Sequence, residues 1–294
     1  MAILIFDLDG VIWRGNKLVS SRIPSLIDGL HRKEHQIYFL TNNSTLNQYG
    51  YQKKLAGLGI KARLNEIICT TNVMRMYLRK KVDKLTSRQA DKVKKKLRIF
   101  VIGGKALKEE IKKLPAEIVK LGNNGRVDYV VVGIDMHFNY KKLAMAMHAI
   151  LEGAEFVATN TDKTLPVKSA SMLPGSGALI SAISTATNCK PCVVGKPNPF
   201  IIRNAIDKSS LNGGNVYVVG DRLDTDVLLA NRLGLRSVLV LSGATTREMA
   251  KKARGLHKPE YIIKDVTEIK KVLKPRRNTD GFKEAQKSKV KRQI

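Results

Sequence analysis

Two carboxylates near the start of the chain, Asp7 and Asp9, are separated by a single residue and followed by Gly10. Paired carboxylates can bind a hard divalent cation, act as a nucleophile or transfer a proton. Taken alone, the pair fits better with two solvated acids at the end of a strand. It gains weight because three further polar segments follow other predicted strands.

The second polar segment is Thr41-Asn42-Asn43-Ser44, which lies between a predicted strand and a predicted helix. Hydroxyl, amide and main-chain N–H groups at a helix N-terminus can bind an anion such as phosphate. An ordinary helix cap would have the same composition. This segment alone favours neither interpretation.

The remaining two segments supply positive and negative charge. Lys196 stands between Gly195 and Pro197, where an ammonium group could neutralise a phosphate, although most lysines are simply at the surface. Asp221, Asp224 and Asp226 crowd into six residues after another apolar run. Crowded carboxylates repel one another unless a cation is bound, and their oxygen atoms suit Mg²⁺.

Short apolar runs precede these polar segments and alternate with helical patterns, which predicts an α/β fold with a buried parallel sheet. The clearest predicted strands are residues 3–6, 36–40, 127–132, 192–194, 216–219 and 236–241. In open α/β sheets, ligands bind at the carboxyl ends of the strands. A long polar loop is predicted from Asn160 to Gly177, and loops of that length are often functional.

Composition limits the alternatives. The chain has 53 basic and 25 acidic residues among 294, a net charge of +28, which favours contact with polyanions such as nucleic acid or reflects solvated lysine-rich helices. No apolar run approaches the roughly 18 residues of a membrane span, so no membrane partner is expected. The low, odd number of cysteines favours a reducing, cytoplasmic compartment, with Cys189 and Cys192 structural.

In their order and spacing, the motifs resemble those of the haloacid dehalogenase (HAD) superfamily of phosphohydrolases, and most closely its class IIA branch. The matching segments, between Ala2 and about Gly243, are Asp7-Leu8-Asp9-Gly10-Val11, Thr41-Asn42-Asn43-Ser44, Ala158-Thr159-Asn160-Thr161-Asp162, Pro174-Gly175-Ser176-Gly177, Val194-Gly195-Lys196-Pro197 and Gly220-Asp221-Arg222-Leu223-Asp224-Thr225-Asp226. The resemblance implies a doubly wound, Rossmann-like core with an inserted α/β cap domain of the C2 type. We expect the core in residues 1–80 and 178–274 and the cap in 81–177. The basic segment 75–98 marks the first boundary, and 275–294 form a basic, disordered tail.

The resemblance also implies roles for individual residues. Asp7 would attack phosphorus, and Asp9 would protonate the leaving oxygen and then activate water. Mg²⁺ would be bound by Asp7, the main-chain carbonyl of Asp9 and Asp221, with Asp226 orienting these ligands. The residues expected to bind the substrate's phosphoryl group are Thr41, Asn42, Asn43 and Lys196.

Two function hypotheses follow. The first is a Mg²⁺-dependent phosphatase acting on a small phosphate ester, with specificity supplied by the cap loop Asn160–Leu173 and its Lys163 and Lys168. The second is a basic nucleic-acid-binding protein that uses the HAD core as a scaffold. The intact acidic motifs and Lys196 favour the phosphatase, with weak polyanion binding through the basic surface. The sequence leaves open which ester is hydrolysed and whether the protein is a homodimer.

Overall fold

A computed structural model of the chain describes residues 1–88, 96–123, 125–166, 172–211 and 215–273. Three features discussed above lie outside these ranges: the predicted disordered tail, Lys168, and residues 89–95 of the basic segment. The helices and strands described below are those of the remaining residues.

The strands and helices alternate along the chain as the sequence predicts. The strands are β1 (Ile3–Asp7), β2 (Trp13–Arg14), β3 (Lys17–Leu18), β4 (Gln36–Thr41), β5 (Ile67–Cys69), β6 (Leu97–Ile102), β7 (Ala116–Val119), β8 (Tyr129–Val132), β9 (Glu155–Ala158), β10 (Thr164–Pro166), β11 (Met172–Pro174), β12 (Cys192–Val193), β13 (Val216–Gly220), β14 (Arg236–Val240) and β15 (Tyr261–Ile263). The helices are α1 (Ile23–Arg32), α2 (Gln48–Gly57), α3 (Thr70–Arg88), α4 (Lys105–Lys112), α5 (Tyr140–Leu151), α6 (Ser176–Thr187), α7 (Phe200–Arg203), α8 (Lys208–Leu211), α9 (Leu228–Arg232) and α10 (Arg247–Lys252).

The first sheet has the strand order β15-β14-β13-β1-β4-β5. From β1 the chain proceeds outward to β4 and β5, and it later returns to β13 on the other side of β1. The strand order therefore reverses between β1 and β13, which pair in parallel with Phe6 opposite Val219. This reversal is the topological switch point at which open α/β sheets bind ligands.

The central strands form because their residues are apolar on both faces. Every residue of β1 and of β13 is buried, as expected for parallel strands covered on both sides by helices. Asp7 is the last residue of β1, and Asp221 directly follows Gly220 at the end of β13. The predicted α/β class with a doubly wound, Rossmann-like sheet is confirmed.

The second sheet has the parallel order β12-β9-β8-β6-β7. Its own apolar core includes Phe100, Val130, Phe156 and Ile183, and Ile183 belongs to α6. The second sheet therefore extends past the predicted cap boundary at residue 177, because Cys192 in β12 pairs with Val157 in β9. The exact limits of the inserted domain remain a prediction.

The chain separates into two compact units. Among the described residues, one unit comprises Met1–Arg14, Leu18–Tyr38 and the chain from Ile206 to residue 273, and the other comprises Gly15–Lys17 and Phe39–Ala205. One boundary between the two units lies between Tyr38 and Phe39, within β4.

The segment predicted as one long polar loop, Asn160–Gly177, contains more structure than expected. Thr164–Pro166 and Met172–Pro174 pair as an antiparallel β-hairpin, with Leu165 opposite Leu173, and α6 begins at Ser176. The hairpin escaped prediction because its strands are three residues long and each ends in proline, a residue confined to edge positions in sheets. Within the described residues, no helix is both long and apolar enough to cross a membrane.

Candidate active site

Three buried carboxylates form an acid cluster at the switch point of the first sheet. The cluster consists of Asp7, Asp221 and Asp226, which are exposed by only 6%, 5% and 1% and have carboxylate oxygens within 4.8 Å of one another. Buried like charges this close are costly unless a cation or proton compensates them. An all-oxygen donor set of this kind fits a hard divalent cation such as Mg²⁺.

Asp221 is oriented by the loop that follows β14. Its Oδ2 accepts a hydrogen bond from the main-chain N–H of Ala244 at 2.7 Å. A side chain on either Gly10 or Gly243 would collide with this carboxylate, and Gly10 has a positive φ of 82°. Glycine is therefore required at both positions by the close approach of Asp221, and at Gly10 by the backbone conformation as well.

Asp226 belongs to the acid cluster through the short helical turn Leu223–Val227 that follows β13. Its Oδ2 accepts hydrogen bonds from Thr225 Oγ1 at 3.2 Å and from Arg222 N at 3.3 Å. Asp224, in contrast, is 63% exposed and forms an ion pair with Arg222 at 3.0 Å. Of the three acids that the sequence places in this segment, Asp221 and Asp226 therefore belong to the acid cluster and Asp224 does not.

Asp9 is partly exposed and lies outside the acid cluster, which joins the side chains of Asp7, Asp221 and Asp226. Its Oδ1 accepts a hydrogen bond from the indole N–H of Trp13 at 2.8 Å. Trp13 is completely buried, so it holds the Asp9 carboxylate from the core side. In the sequence, the only indication of this contact is that Trp13 lies four residues after Asp9.

The second polar segment turns sharply after β4. The main-chain N–H of Asn43 donates to Thr41 Oγ1 at 3.0 Å, and the Asn43 carbonyl accepts a hydrogen bond from the Tyr51 hydroxyl at 2.8 Å. Thr41 and Asn42 are buried, whereas Asn43 is partly exposed. The segment is thus fixed by its own hydroxyl and by helix α2.

Asn42 brings the second and third polar segments together. Its Oδ1 accepts a hydrogen bond from the main-chain N–H of Lys196 at 2.8 Å, and its Nδ2 donates to the Lys196 carbonyl at 3.1 Å. Lys196 is itself buried, with 2% exposure. The segments around Asn42 and Lys196, both of which were predicted to bind phosphate, are therefore in direct contact.

Two residues that sequence reasoning did not select also bind Asn42. Asn160 Nδ2 donates to the Asn42 carbonyl at 2.7 Å, and Asp162 Oδ1 accepts from Asn42 Nδ2 at 3.3 Å. We call Asn42, Asn160, Asp162 and Lys196 the Asn42 cluster. Asn160 and Asp162 could have been identified from the sequence because the polar residues of the segment Ala158–Asp162 follow a strand, as those of the other motifs do.

Gly195 completes this packing. A Cβ atom on Gly195 would lie 2.7 Å from Asn42 Oδ1 and would collide with the Thr159 carbonyl oxygen.

Of the two lysines proposed for specificity, Lys163 is exposed, and Lys168 lies outside the described residues.

Comparison with known proteins agrees with these motifs. Residues 4–117 match the family model of haloacid dehalogenase-like hydrolases, and residues 193–269 match a HAD-hydrolase-like model. Phosphoglycolate phosphatase 1A, chloroplastic, from Arabidopsis thaliana is 31% identical over 283 residues, which cover 90% of this chain and 75% of the relative.

Two solved structures share the fold. A hypothetical protein from Pyrococcus horikoshii OT3 matches with a TM-score of 0.80 and 36% identity, covering 93% of this chain and 100% of that one. The glycerol phosphate phosphatase of Mycobacterium tuberculosis, in complex with magnesium, matches with a TM-score of 0.78 and 30% identity, covering 94% and 79%. With relatives of this identity aligned over most of their length, and with the strand-end motifs in place, the chain belongs to the class IIA branch of the haloacid dehalogenase-like hydrolases.

Proposed function

We propose that the protein is a Mg²⁺-dependent phosphatase that hydrolyses small phosphate monoesters through an aspartyl-phosphate intermediate. The observation that carries the proposal is the acid cluster, in which Asp7 meets Asp221 and Asp226 at the switch point of the sheet. A nucleophilic carboxylate beside a divalent-cation site is what this chemistry requires. The names of the relatives, phosphoglycolate and glycerol phosphate phosphatases, support the same reaction class.

In the first step, an oxygen of the Asp7 carboxylate attacks phosphorus, and the ester P–O bond breaks. The leaving oxygen takes a proton from Asp9. In the second step, Asp9 removes a proton from water, the water oxygen attacks phosphorus, and the bond to Asp7 breaks to release orthophosphate. The hydrogen bond from Trp13 holds Asp9 for both proton transfers.

The acid cluster would bind the cation through the carboxylates of Asp7 and Asp221, together with the Asp9 main-chain carbonyl. When bound, Mg²⁺ supplies positive charge that offsets the repulsion between the Asp7 carboxylate and the anionic phosphoryl group. Ala244 orients Asp221 through its N–H. Asp226, whose carboxylate accepts a hydrogen bond from the main-chain N–H of Arg222, would orient these ligands.

The phosphoryl oxygens would be bound by Thr41, the main-chain N–H of Asn42, Asn43 and Lys196. The carboxamide of Asn42 is already engaged by Lys196, so we assign the role of Asn42 toward substrate to its main chain. Positive charge from Lys196 and N–H donors at fixed positions stabilise the charge that spreads over the phosphoryl oxygens in the transition state.

The experiment is an assay of a panel of phosphate esters, with Mg²⁺ and with a chelator, on the wild type and on Asp7→Asn. We expect turnover only with Mg²⁺ and only in the wild type, while circular dichroism shows the same fold for both. Full turnover in chelator, or turnover by Asp7→Asn after contamination has been excluded, would contradict the mechanism. Asp224→Asn, which changes an exposed acid on the same loop as Asp221, is the matched control and should retain activity.

A second assay addresses the nucleic-acid hypothesis, which the charge of +28 keeps open. Titration of a fluorescent oligonucleotide at increasing salt separates weak, salt-sensitive contact from a defined complex. Tight binding that survives physiological salt, together with no hydrolysis of any ester, would favour the binding protein over the phosphatase.

A further inference from the structure

We propose that Asn42 acts as a positioning residue for Lys196 and that Asp162 fixes the orientation of the Asn42 carboxamide. This inference rests on the proposed phosphatase function, because it assigns Lys196 to the phosphoryl group. It adds a specific role for two side chains, one of them in the segment that leads into the β10–β11 hairpin.

The first step concerns the geometry of the carboxamide. Asn42 uses both of its polar atoms on one residue: Oδ1 accepts from the Lys196 N–H at 2.8 Å, and Nδ2 donates to the Lys196 carbonyl at 3.1 Å. This pair of bonds fixes the main chain on both sides of the Lys196 Cα atom. The stem of the buried lysine side chain therefore starts from a fixed point.

The second step concerns the two possible orientations of that carboxamide. Nδ2 faces two acceptors, the Lys196 carbonyl and Asp162 Oδ1, and Oδ1 faces one donor. A carboxamide rotated by half a turn would place its oxygen against a carbonyl and a carboxylate, and its NH₂ group against an N–H. Asp162 therefore adds an acceptor, and a negative charge, that stabilises the orientation in which Asn42 holds Lys196.

The third step concerns the rigidity of the surroundings. The Asn42 carbonyl accepts hydrogen bonds from Thr70 Oγ1 at 2.8 Å and from Asn160 Nδ2 at 2.7 Å, so the main chain of Asn42 is also fixed. Gly195 packs so closely against Asn42 Oδ1 that there is no room for a side chain at that position. Since Asn42 and Asn160 are buried, a lost hydrogen bond in this cluster cannot readily be replaced by one to bulk water.

The fourth step connects the cluster to the hairpin. Two main-chain hydrogen bonds fix the position of Asp162. Its N–H donates to Asn160 Oδ1 at 3.0 Å, and its carbonyl accepts from Gly177 N at 2.9 Å. The next residues, Lys163 and then β10, lead directly into the hairpin. A shift of this segment is thereby transmitted through Asp162 and Asn42 to Lys196, a residue 154 positions from Asn42 in the sequence.

The test measures orthophosphate affinity by isothermal titration calorimetry with Mg²⁺ present, in the wild type, Asp162→Ala and Asp162→Asn. Orthophosphate has no leaving group, so a contact between Asp162 and the leaving group of an ester cannot affect its affinity. We expect Asp162→Ala to weaken binding about five- to tenfold, as for the loss of one partly buried, charge-assisted hydrogen bond. Asp162→Asn keeps an acceptor oxygen and should restore affinity to within about twofold of the wild type.

The same variants are assayed with several phosphate esters. A positioning role predicts that Asp162→Ala lowers kcat/KM by a similar factor for every ester, since the phosphoryl group is common to them all. Loss confined to some esters, with orthophosphate affinity unchanged, would instead make Asp162 a contact to the leaving group and overturn the inference. Asp83→Ala, which removes an acid paired with Arg79 on the surface of α3, is the control and should change neither quantity.

Two further outcomes are informative. If Asp162→Ala fails to fold, Asp162→Leu removes the acceptor while preserving the shape of the side chain and is measured in its place. Unchanged orthophosphate affinity in the folded variant, or an equal loss in Asp162→Asn, contradicts the positioning role. The calorimetric measurement needs no turnover, so failure to hydrolyse any ester would reject the proposed function while still allowing a weakened phosphate affinity to support this inference.

Discussion

The indole N–H of Trp13 donates a hydrogen bond to Oδ1 of Asp9 at 2.8 Å, and the indole is completely buried while Asp9 is partly exposed. One side chain thus belongs to the core, and the other is accessible to solvent. In the proposed mechanism, this hydrogen bond fixes the direction of a carboxylate that alternately donates and removes a proton.

Replacement of Trp13 by Phe should therefore slow the reaction without weakening substrate binding. The variant keeps an aromatic ring in the core but leaves the Asp9 carboxylate without its indole donor. We expect kcat to fall about three- to tenfold, the effect of one hydrogen bond, with KM and orthophosphate affinity unchanged. Steady-state kinetics on an aryl phosphate measure both constants. A larger KM with an unaltered kcat would show that Trp13 affects binding and not proton transfer.

If the acid cluster binds a divalent cation as proposed, thermal stability should depend on that cation. Mg²⁺ at about one hundred times its dissociation constant would stabilise the fold by about 2.7 kcal/mol, which corresponds to a rise in Tm of roughly 5 °C. Asp221→Asn removes one of the three clustered charges and should lose most of this rise, whereas Asp224→Asn should retain it. Differential scanning calorimetry with and without Mg²⁺ makes the comparison. An equal rise in both variants would place the cation elsewhere.

The packing around Gly195 makes a strong prediction about stability. In Gly195→Ala the new methyl group would meet the Thr159 carbonyl oxygen and Asn42 Oδ1, both in a buried region. We expect the free energy of unfolding to fall by about 1–3 kcal/mol, a typical cost of overpacking. The control is Gly57→Ala at the end of α2, where a Cβ atom meets nothing within 4 Å. Urea unfolding of both variants gives the comparison, and similar midpoints would contradict the predicted clash.

His35 should make stability depend on pH. Burial lowers the pKa of His35 below its ordinary value of 6.5, and the positive charge of Lys33 acts in the same direction. Between the lowered pKa and 6.5 the unfolded chain binds more protons at this residue, so the contribution of His35 to stability falls as pH drops below about 6.5. Urea midpoints measured from pH 8 to pH 5 should decrease less in His35→Gln than in the wild type. Parallel curves for the two proteins would contradict this assignment.

The sequence was sufficient to predict the strand ends but not the contacts between distant segments. Asp7 and Asp221 could each be placed at the end of a strand because each follows a continuous apolar run, whereas their common metal site was an expectation from the resemblance to the family. The bonds between Asn42 and Lys196 could not be predicted, since they join residues 154 positions apart and depend on the side-chain direction of a single amide. Likewise, Cys192–Val193 is too short to reveal from its own sequence which sheet it joins.

The exposed Lys163 allows a test of the expectation that the cap loop Asn160–Leu173 supplies substrate specificity. Its carbonyl accepts a hydrogen bond from Gly175 N at 2.8 Å, which fixes the main chain at the base of the hairpin, while the ammonium group is left at the surface. A phosphate ester with a second anionic group, such as phosphoglycolate, could bind this ammonium, whereas an aryl phosphate could not. In Lys163→Ala we therefore expect kcat/KM for phosphoglycolate to fall about three- to fivefold, a modest factor because water screens an exposed charge pair. Hydrolysis of p-nitrophenyl phosphate should remain within about twofold of the wild type, as should both substrates in the control Lys105→Ala, whose side chain is 90% exposed on α4. If both esters responded equally to Lys163→Ala, the lysine would act on the phosphoryl group or on the fold and not on the second anion, and specificity would have to come from other residues.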